Sequence, residues 1–205
     1  MQYIELKNWL KDFTVFSLAD IKGIDTAFHR RRLNEWQDKG YIKKLIKGYY
    51  IFSDLELNEN VLFEIANRIY NPSYISFETA MSYYGLIPES VYGITSASTR
   101  RTYKFRTKIA EFSYRTITPR LFFGYTMVEY DNKCFKIASV EKALLDYFYI
   151  NTKINGKEDL LSLRIDKNAF FNKVNKTNLF SLLKKFDKKK LTKRVKLLWE
   201  IMKHA

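Results

Sequence analysis

The stretch from Phe16 to Phe52, FSLADIKGIDTAFHRRRLNEWQDKGYIKKLIKGYYIF, leaves few folds open, because it sets a short helix, a turn, a basic helix and a hairpin in one order. Ser17 ahead of Leu18, Ala19, Asp20 and Ile21 reads as an N-cap and one amphipathic turn, and Gly23 as the reversal between two crossing helices. Asp25 reads as the cap of a longer helix that runs to Lys39 and is ended by Gly40 in left-handed geometry. On that helical wheel Thr26, His29, Leu33 and Trp36 share an inner face. Ala27, Phe28, Arg31, Glu35 and Asp38 point outward, with Asn34 at the side. Tyr41–Lys44 and Tyr49–Phe52 read as strands joined by a loop that ends in Gly48. The order predicts a winged helix-turn-helix over residues 1–54.

The chemistry of such a unit is duplex recognition. A helix fits the major groove, where guanidinium groups bind guanine edges in pairs, while lysines on a wing neutralise flanking phosphates. Arg31 and Asn34 are the candidates for base contact, Arg30 and Arg32 for the backbone, and Thr26, Ala27 and Phe28, at the start of the helix, complete the candidate DNA-binding set. Lys43, Lys44 and Lys47 arm the wing. The plainer alternative is a solvated RRR face on a packing module, since fold alone does not fix function. His29 reads as a packed residue of the inner face.

Charge points the same way. With 36 Lys+Arg against 22 Asp+Glu, the net charge is +14 and the isoelectric point about 9.6, which favours polyanions. Its distribution is uneven: residues 1–52 carry a net +4, 98–120 a net +6 and 184–203 a net +7. Arg100, Arg101, Lys104 and Arg106, with Lys189, Lys193 and Lys196, therefore form a candidate secondary basic surface. Lysines that merely keep the chain in solution are the competing account for the C-terminal run.

A single cysteine, Cys134, rules out an intramolecular disulfide, and two histidines leave no zinc cluster; no cofactor is expected. No apolar stretch approaches the roughly 20 residues that span a bilayer, so a cytoplasmic location is expected.

Residues 55–205 predict an α+β domain, with a core over 59–150 and a helical basic tail over 157–204. Helical spacing covers Val61–Tyr70, Ser76 caps Phe77–Tyr84, and Gly85 closes it. Alternating runs at Val91–Thr95, Tyr103–Phe105, Glu111–Ile117, Tyr125–Tyr130 and Cys134–Ile137 predict a small, mostly antiparallel sheet, with a turn at Asp131-Asn132. Ser139 caps VEKALLDYFYI, where Glu141 near N3 can add a capping interaction. Four further helices are expected, at Lys157–Leu163, Asn168–Val174, Asn178–Phe186 and Lys188–Lys203. The last is amphipathic, and its apolar stripe reads as packing rather than membrane association.

Two passages, PSYISFETAMSYYGLIPESVYGITSASTRRTYKF and FGYTMVEYDNKCFKIASVEKALLDYFY, together with the winged unit ending KGYYIF, resemble the AbiEi antitoxin family of bacterial abortive-infection toxin-antitoxin systems. The resemblance covers residues 1 to about 150 and rests on the motifs from Tyr74 to Pro88 and from Ile137 to Asp146. It implies a transcriptional autorepressor whose winged domain binds inverted repeats in its own promoter, as monomers assembling cooperatively on double-stranded DNA. It also implies a C-terminal domain that counters a nucleotidyltransferase-like toxin without a stable toxin complex as the usual mechanism.

A basic RNA-binding protein or a metal-dependent nuclease is the alternative. Glu78, Glu141 and Asp146 near Lys142 could hold a divalent cation, but no nucleophile, phosphate loop or metal spacing accompanies them. A helix ion pair at i,i+4 accounts for Lys142 and Asp146. The chain is therefore expected not to be an enzyme.

Overall fold

The N-terminal elements follow their capping signals, with one displacement that matters. In the computed structural model, which describes residues 1–88 and 93–204, helix α1 (Tyr3–Trp9) precedes a short strand β1 (Phe16–Ser17) and helix α2 (Leu18–Ile24). Ser17 and Asp20 cap α2 reciprocally: the Ser17 hydroxyl accepts from the Asp20 amide at 3.3 Å, and the Asp20 carboxylate accepts from the Ser17 amide at 2.7 Å.

Two expectations then need correction. Gly23 lies inside α2, and the reversal falls at Asp25 instead. There the carboxylate accepts from the Ala27 amide at 3.0 Å and the carbonyl from the Phe28 amide at 3.0 Å. An Asx turn of this kind competes with helix, so the next helix, α3 (Arg31–Asp38), starts six residues after Asp25 rather than at Thr26. Residues 26–30 accordingly lose the phase of the helical wheel. Phe28, expected to face outward, is 5 % exposed with its ring 5.5 Å from that of Trp36, whereas Thr26 and His29 are exposed.

Gly40, at φ +72°, ends α3 as expected, and strands β2 (Ile42–Ile46) and β3 (Tyr49–Phe52) meet at a tight Lys47-Gly48 turn where Gly48 has φ +89°. The strands form an antiparallel sheet in the order β1-β3-β2. Alternation gives this hairpin two buried faces. Ile42, Tyr50 and Phe52 join Leu6, Phe16, Ile21, Phe28, Leu33 and Trp36 in a local core. Leu45 and Ile51, with Val15, turn the other way into the main core.

The rest of the chain is α+β. Helix α4 (Glu59–Ile69), strand β4 (Ser73–Ile75) and helix α5 (Phe77–Tyr83) lead to β5 (Ile94–Ser98), β6 (Tyr103–Arg106), β7 (Glu111–Thr116), β8 (Tyr125–Tyr130) and β9 (Lys133–Ala138). These strands build one six-stranded sheet in the order β6-β7-β5-β4-β9-β8. It has one strand more than expected, β4, and is mostly antiparallel as expected: β5–β7 and β4–β9 run parallel, the other three pairs antiparallel. The central strand β4 has no alternation to betray it, because all three of its residues are buried on both faces. Val91, placed at the start of a strand by its sequence, lies outside the described residues.

The sheet separates two helical layers. On one side Phe112, Tyr114, Phe135 and Ile137 meet α4, where the Tyr114 hydroxyl donates to the Ala66 carbonyl at 2.7 Å and the Phe63 and Phe135 rings lie 5.2 Å apart. On the other side Tyr74 and Ala97 face α5 and helix α6 (Val140–Ile150). The N-terminal unit sits on α4: Arg68 pairs with Asp20 at 2.7 Å, and Thr14 donates to Glu64.

Helices α7 (Lys157–Ser162), α8 (Lys167–Lys173), α9 (Lys176–Phe186) and α10 (Lys189–His204) complete the chain, the last two packed on α6. Leu191, Val195, Leu198, Trp199 and Met202 bury the stripe of α10. No helix of the described residues is long and apolar enough to cross a membrane.

Candidate nucleic-acid interface

Helix α3 presents Arg31, Asn34, Glu35 and Asp38 to solvent because Leu33 and Trp36 anchor its opposite face. Arg31 is 87 % exposed on its side chain and 3.6 Å from Glu35, one turn later, so the guanidinium is loosely steered rather than locked. Arg30, at the N-cap position, and Thr26 and Ala27, in the preceding turn, are also exposed. Two members of the expected contact set are occupied otherwise. Phe28 is a core residue, and the half-buried Arg32 donates to the Met1 carbonyl, tying α3 to the start of α1.

On the hairpin all three lysines are exposed: Lys43 donates to the Ser53 carbonyl at 3.1 Å, Lys44 lies mid-strand opposite Tyr50, and Lys47 stands at the turn. Lys47 has company from the second unit. Ile46, Lys47 and Tyr49 form one wall of a groove of about 320 Å³, and Tyr70, Arg100, Arg101, Tyr103 and Phe105 form the other. The Arg100 guanidinium lies 4.4 Å from the centroid of the Tyr70 ring and donates to the Asn71 carbonyl at 3.3 Å. Arg101 lies 5.7 Å from the Tyr103 ring. Cation–π stacking fixes these side chains while leaving their N–H edges available.

No family model and no curated protein matches this chain.

The other half of the second basic segment is paired internally, two cations on one carboxylate. Lys104 and Arg106 both reach Glu111, at 2.5 and 3.1 Å, and the bond from Lys104, followed by that from Arg106, holds the Glu111 carboxyl below its usual range. Lys189, Lys193 and Lys196 are exposed on α10, beyond α6 on the far side of the sheet, so they do not share the Lys47 groove. Sequence reasoning found the arginines of this groove and missed its aromatic lining. The signal was present in Tyr103-Lys-Phe-Arg, where aromatic and basic residues alternate.

The carboxylates weighed for catalysis lie apart from that surface. Glu78 pairs with Arg115 at 2.9 Å. Glu141, 4 % exposed, accepts from the Asn175 amide at 3.0 Å; it holds the start of α9 rather than of its own helix, where the Ser139 hydroxyl accepts from the Lys142 amide. Asp146 and Lys142 form a fully buried ion pair, and Asp146 also accepts from the Tyr74 and Ser76 hydroxyls at 2.8 and 2.9 Å. Burial pushes the Asp146 carboxyl up and the Lys142 ammonium down, each opposed by the partner's charge. Phe123 and Phe186 cap the ammonium at 5.2 Å each. Among the described residues no three His, Cys, Asp or Glu side chains gather as a metal site.

The Lys142 stem is pressed against Gly124, which has φ +71° and would carry a Cβ 3.2 Å from Lys142 Cγ. Gly124→Ala therefore combines left-handed backbone strain with a crowded contact. It is expected to cost about 1–2 kcal/mol of stability in a denaturant titration.

Proposed function

We propose that this chain is a DNA-binding autorepressor and antitoxin of a bacterial toxin-antitoxin operon, acting opposite a nucleotidyltransferase-like toxin. Its N-terminal unit is read as a winged helix-turn-helix, with α3 as the helix that enters the major groove and β2–β3 as the wing. Arg31 and Asn34 read base edges, and Arg30, Lys44 and Lys47 hold phosphates. The observation that carries the reading is the groove in which wing residue Lys47 faces Arg100 and Arg101, because two basic segments distant in sequence there offer one anionic backbone a continuous path. The antitoxin part rests on the resemblance of the Tyr74–Pro88 and Ile137–Asp146 passages.

A base-reading and a phosphate-holding residue fail differently when removed. Arg31→Ala should cost about 1–3 kcal/mol on the preferred site and blunt sequence preference. Lys44→Ala should weaken every duplex alike and lower the salt slope by about 0.9. Anisotropy titrations over a salt series separate the two, and identical behaviour of both variants would refute the assignment of α3 as the reading helix. The antitoxin part is tested by growth rescue when the chain is co-expressed with a nucleotidyltransferase encoded beside it; no rescue would remove that half of the proposal.

One observation favours single-stranded nucleic acid as a second reading. Tyr103 is 42 % exposed beside Arg101, and an exposed ring next to a guanidinium can stack a splayed base. Tighter binding to single strands than to any duplex would establish it.

A further inference from the structure

The lysines at the junction of α9 and α10 break a rule of helix construction. Lys188 precedes α10 and Lys189 opens its first turn, which holds no acidic residue, although the positive end of the helix dipole disfavours cations there. Lys184, in the last turn of α9, and Lys193 and Lys196, further along α10, complete the set around a recess of about 560 Å³. Asp187, in left-handed conformation at φ +48°, is the one carboxylate in its lining. None of the five ammonium groups has an ion pair or a hydrogen bond among the described residues, in contrast to Lys104 and Arg106 on Glu111. Five ammonium groups against one carboxylate leave the recess strongly cationic, a charge that an anionic partner would complement.

We propose that this recess is a docking site for a short acidic segment of a partner protein. Two observations separate it from a nucleic-acid surface. Its lining has no aromatic ring on which a base could stack. It also lies beyond α6, with the whole sheet and α4 between it and the N-terminal unit, so a duplex held by the wing has no direct path to it.

The test uses the full chain and two probes, a fluorescein-labelled polyglutamate peptide and a random-sequence duplex. Lys188→Gln/Lys189→Gln/Lys193→Gln/Lys196→Gln should weaken peptide binding by about tenfold or more, a loss of about 1.4 kcal/mol, and leave duplex binding unchanged. A charge-matched variant with Lys22, Lys39, Lys153 and Lys157 replaced by Gln should retain the peptide affinity. Equal loss in both variants reduces the recess to bulk charge, and loss of the duplex alone makes it a nucleic-acid surface; either result overturns the proposal, as does failure of the native chain to bind the peptide. Lys188→Gln/Lys189→Gln by itself should raise the melting temperature, since it relieves the dipole clash. A fall would show that these lysines support the fold.

Discussion

Asp146→Ala lowers the free energy of unfolding by about 3–5 kcal/mol, because it leaves the Lys142 ammonium charged in a site from which water is excluded. Both side chains are fully buried, and the ammonium is enclosed by Tyr74, Phe123 and Phe186. The Tyr74 and Ser76 hydroxyls that donate to Asp146 lose their acceptor in the same step. For a chain of this length such a loss corresponds to a fall in melting temperature of roughly 10 °C. The cost belongs to the orphaned charge rather than to the pair, so Lys142→Met/Asp146→Leu should recover most of it. Calorimetry on the two variants checks both halves; a double variant as unstable as the single one would show that the network holds α6 to β4 by its geometry and not by its charge balance. The network joins β4, α6, the loop at Phe123 and the end of α9, so its loss loosens the packing of these elements on one another.

Lys47→Ala/Arg100→Ala/Arg101→Ala has the largest expected effect on binding. Charge-assisted contacts are worth about 1.5 kcal/mol each at the lower end of their range, so three lost contacts amount to on the order of 4 kcal/mol, about a thousandfold at low salt. The slope of log affinity against log salt should flatten by about 0.9 for each phosphate released. Sequence preference should survive, since none of the three is placed at a base edge. Anisotropy titrations at several salt concentrations measure affinity and slope together. A loss confined to Lys47, with Arg100→Ala/Arg101→Ala unchanged, would restrict the contact to the β2–β3 hairpin.

Helices were legible wherever a cap and a 3.6-residue stripe coincided. Asn58, Ser139, Asp166 and Asn175 each accept from the backbone amide three residues on, and the helices after them begin within two residues of their expected starts. The hairpin was equally plain from Gly48, and the Asp131-Asn132 turn from residues that take φ of +42° and +61°. Failures arose where one residue had two local options. Asp25 can cap a helix or close an Asx turn, and choosing the second shifted the start of α3 and put Phe28 inside. Strand β4 escaped because burial on both faces removes alternation. The Lys47–Arg100–Arg101 groove could not be read from spacing, since its walls meet only through the packing of the N-terminal unit on α4. The secondary basic surface, grouped in one category by charge, divides into three parts: Arg100 and Arg101 on the Lys47 groove, Lys104 and Arg106 paired on Glu111, and Lys189, Lys193 and Lys196, which have no ion pair among the described residues.

The most direct measurement is a titration of the full chain on the duplex immediately upstream of its own coding sequence, against an equally long duplex of random sequence, at near-physiological salt. The account predicts binding to the upstream duplex at least about a thousandfold tighter, the lower end of the range for specific DNA recognition. Equal affinity for the two would contradict it.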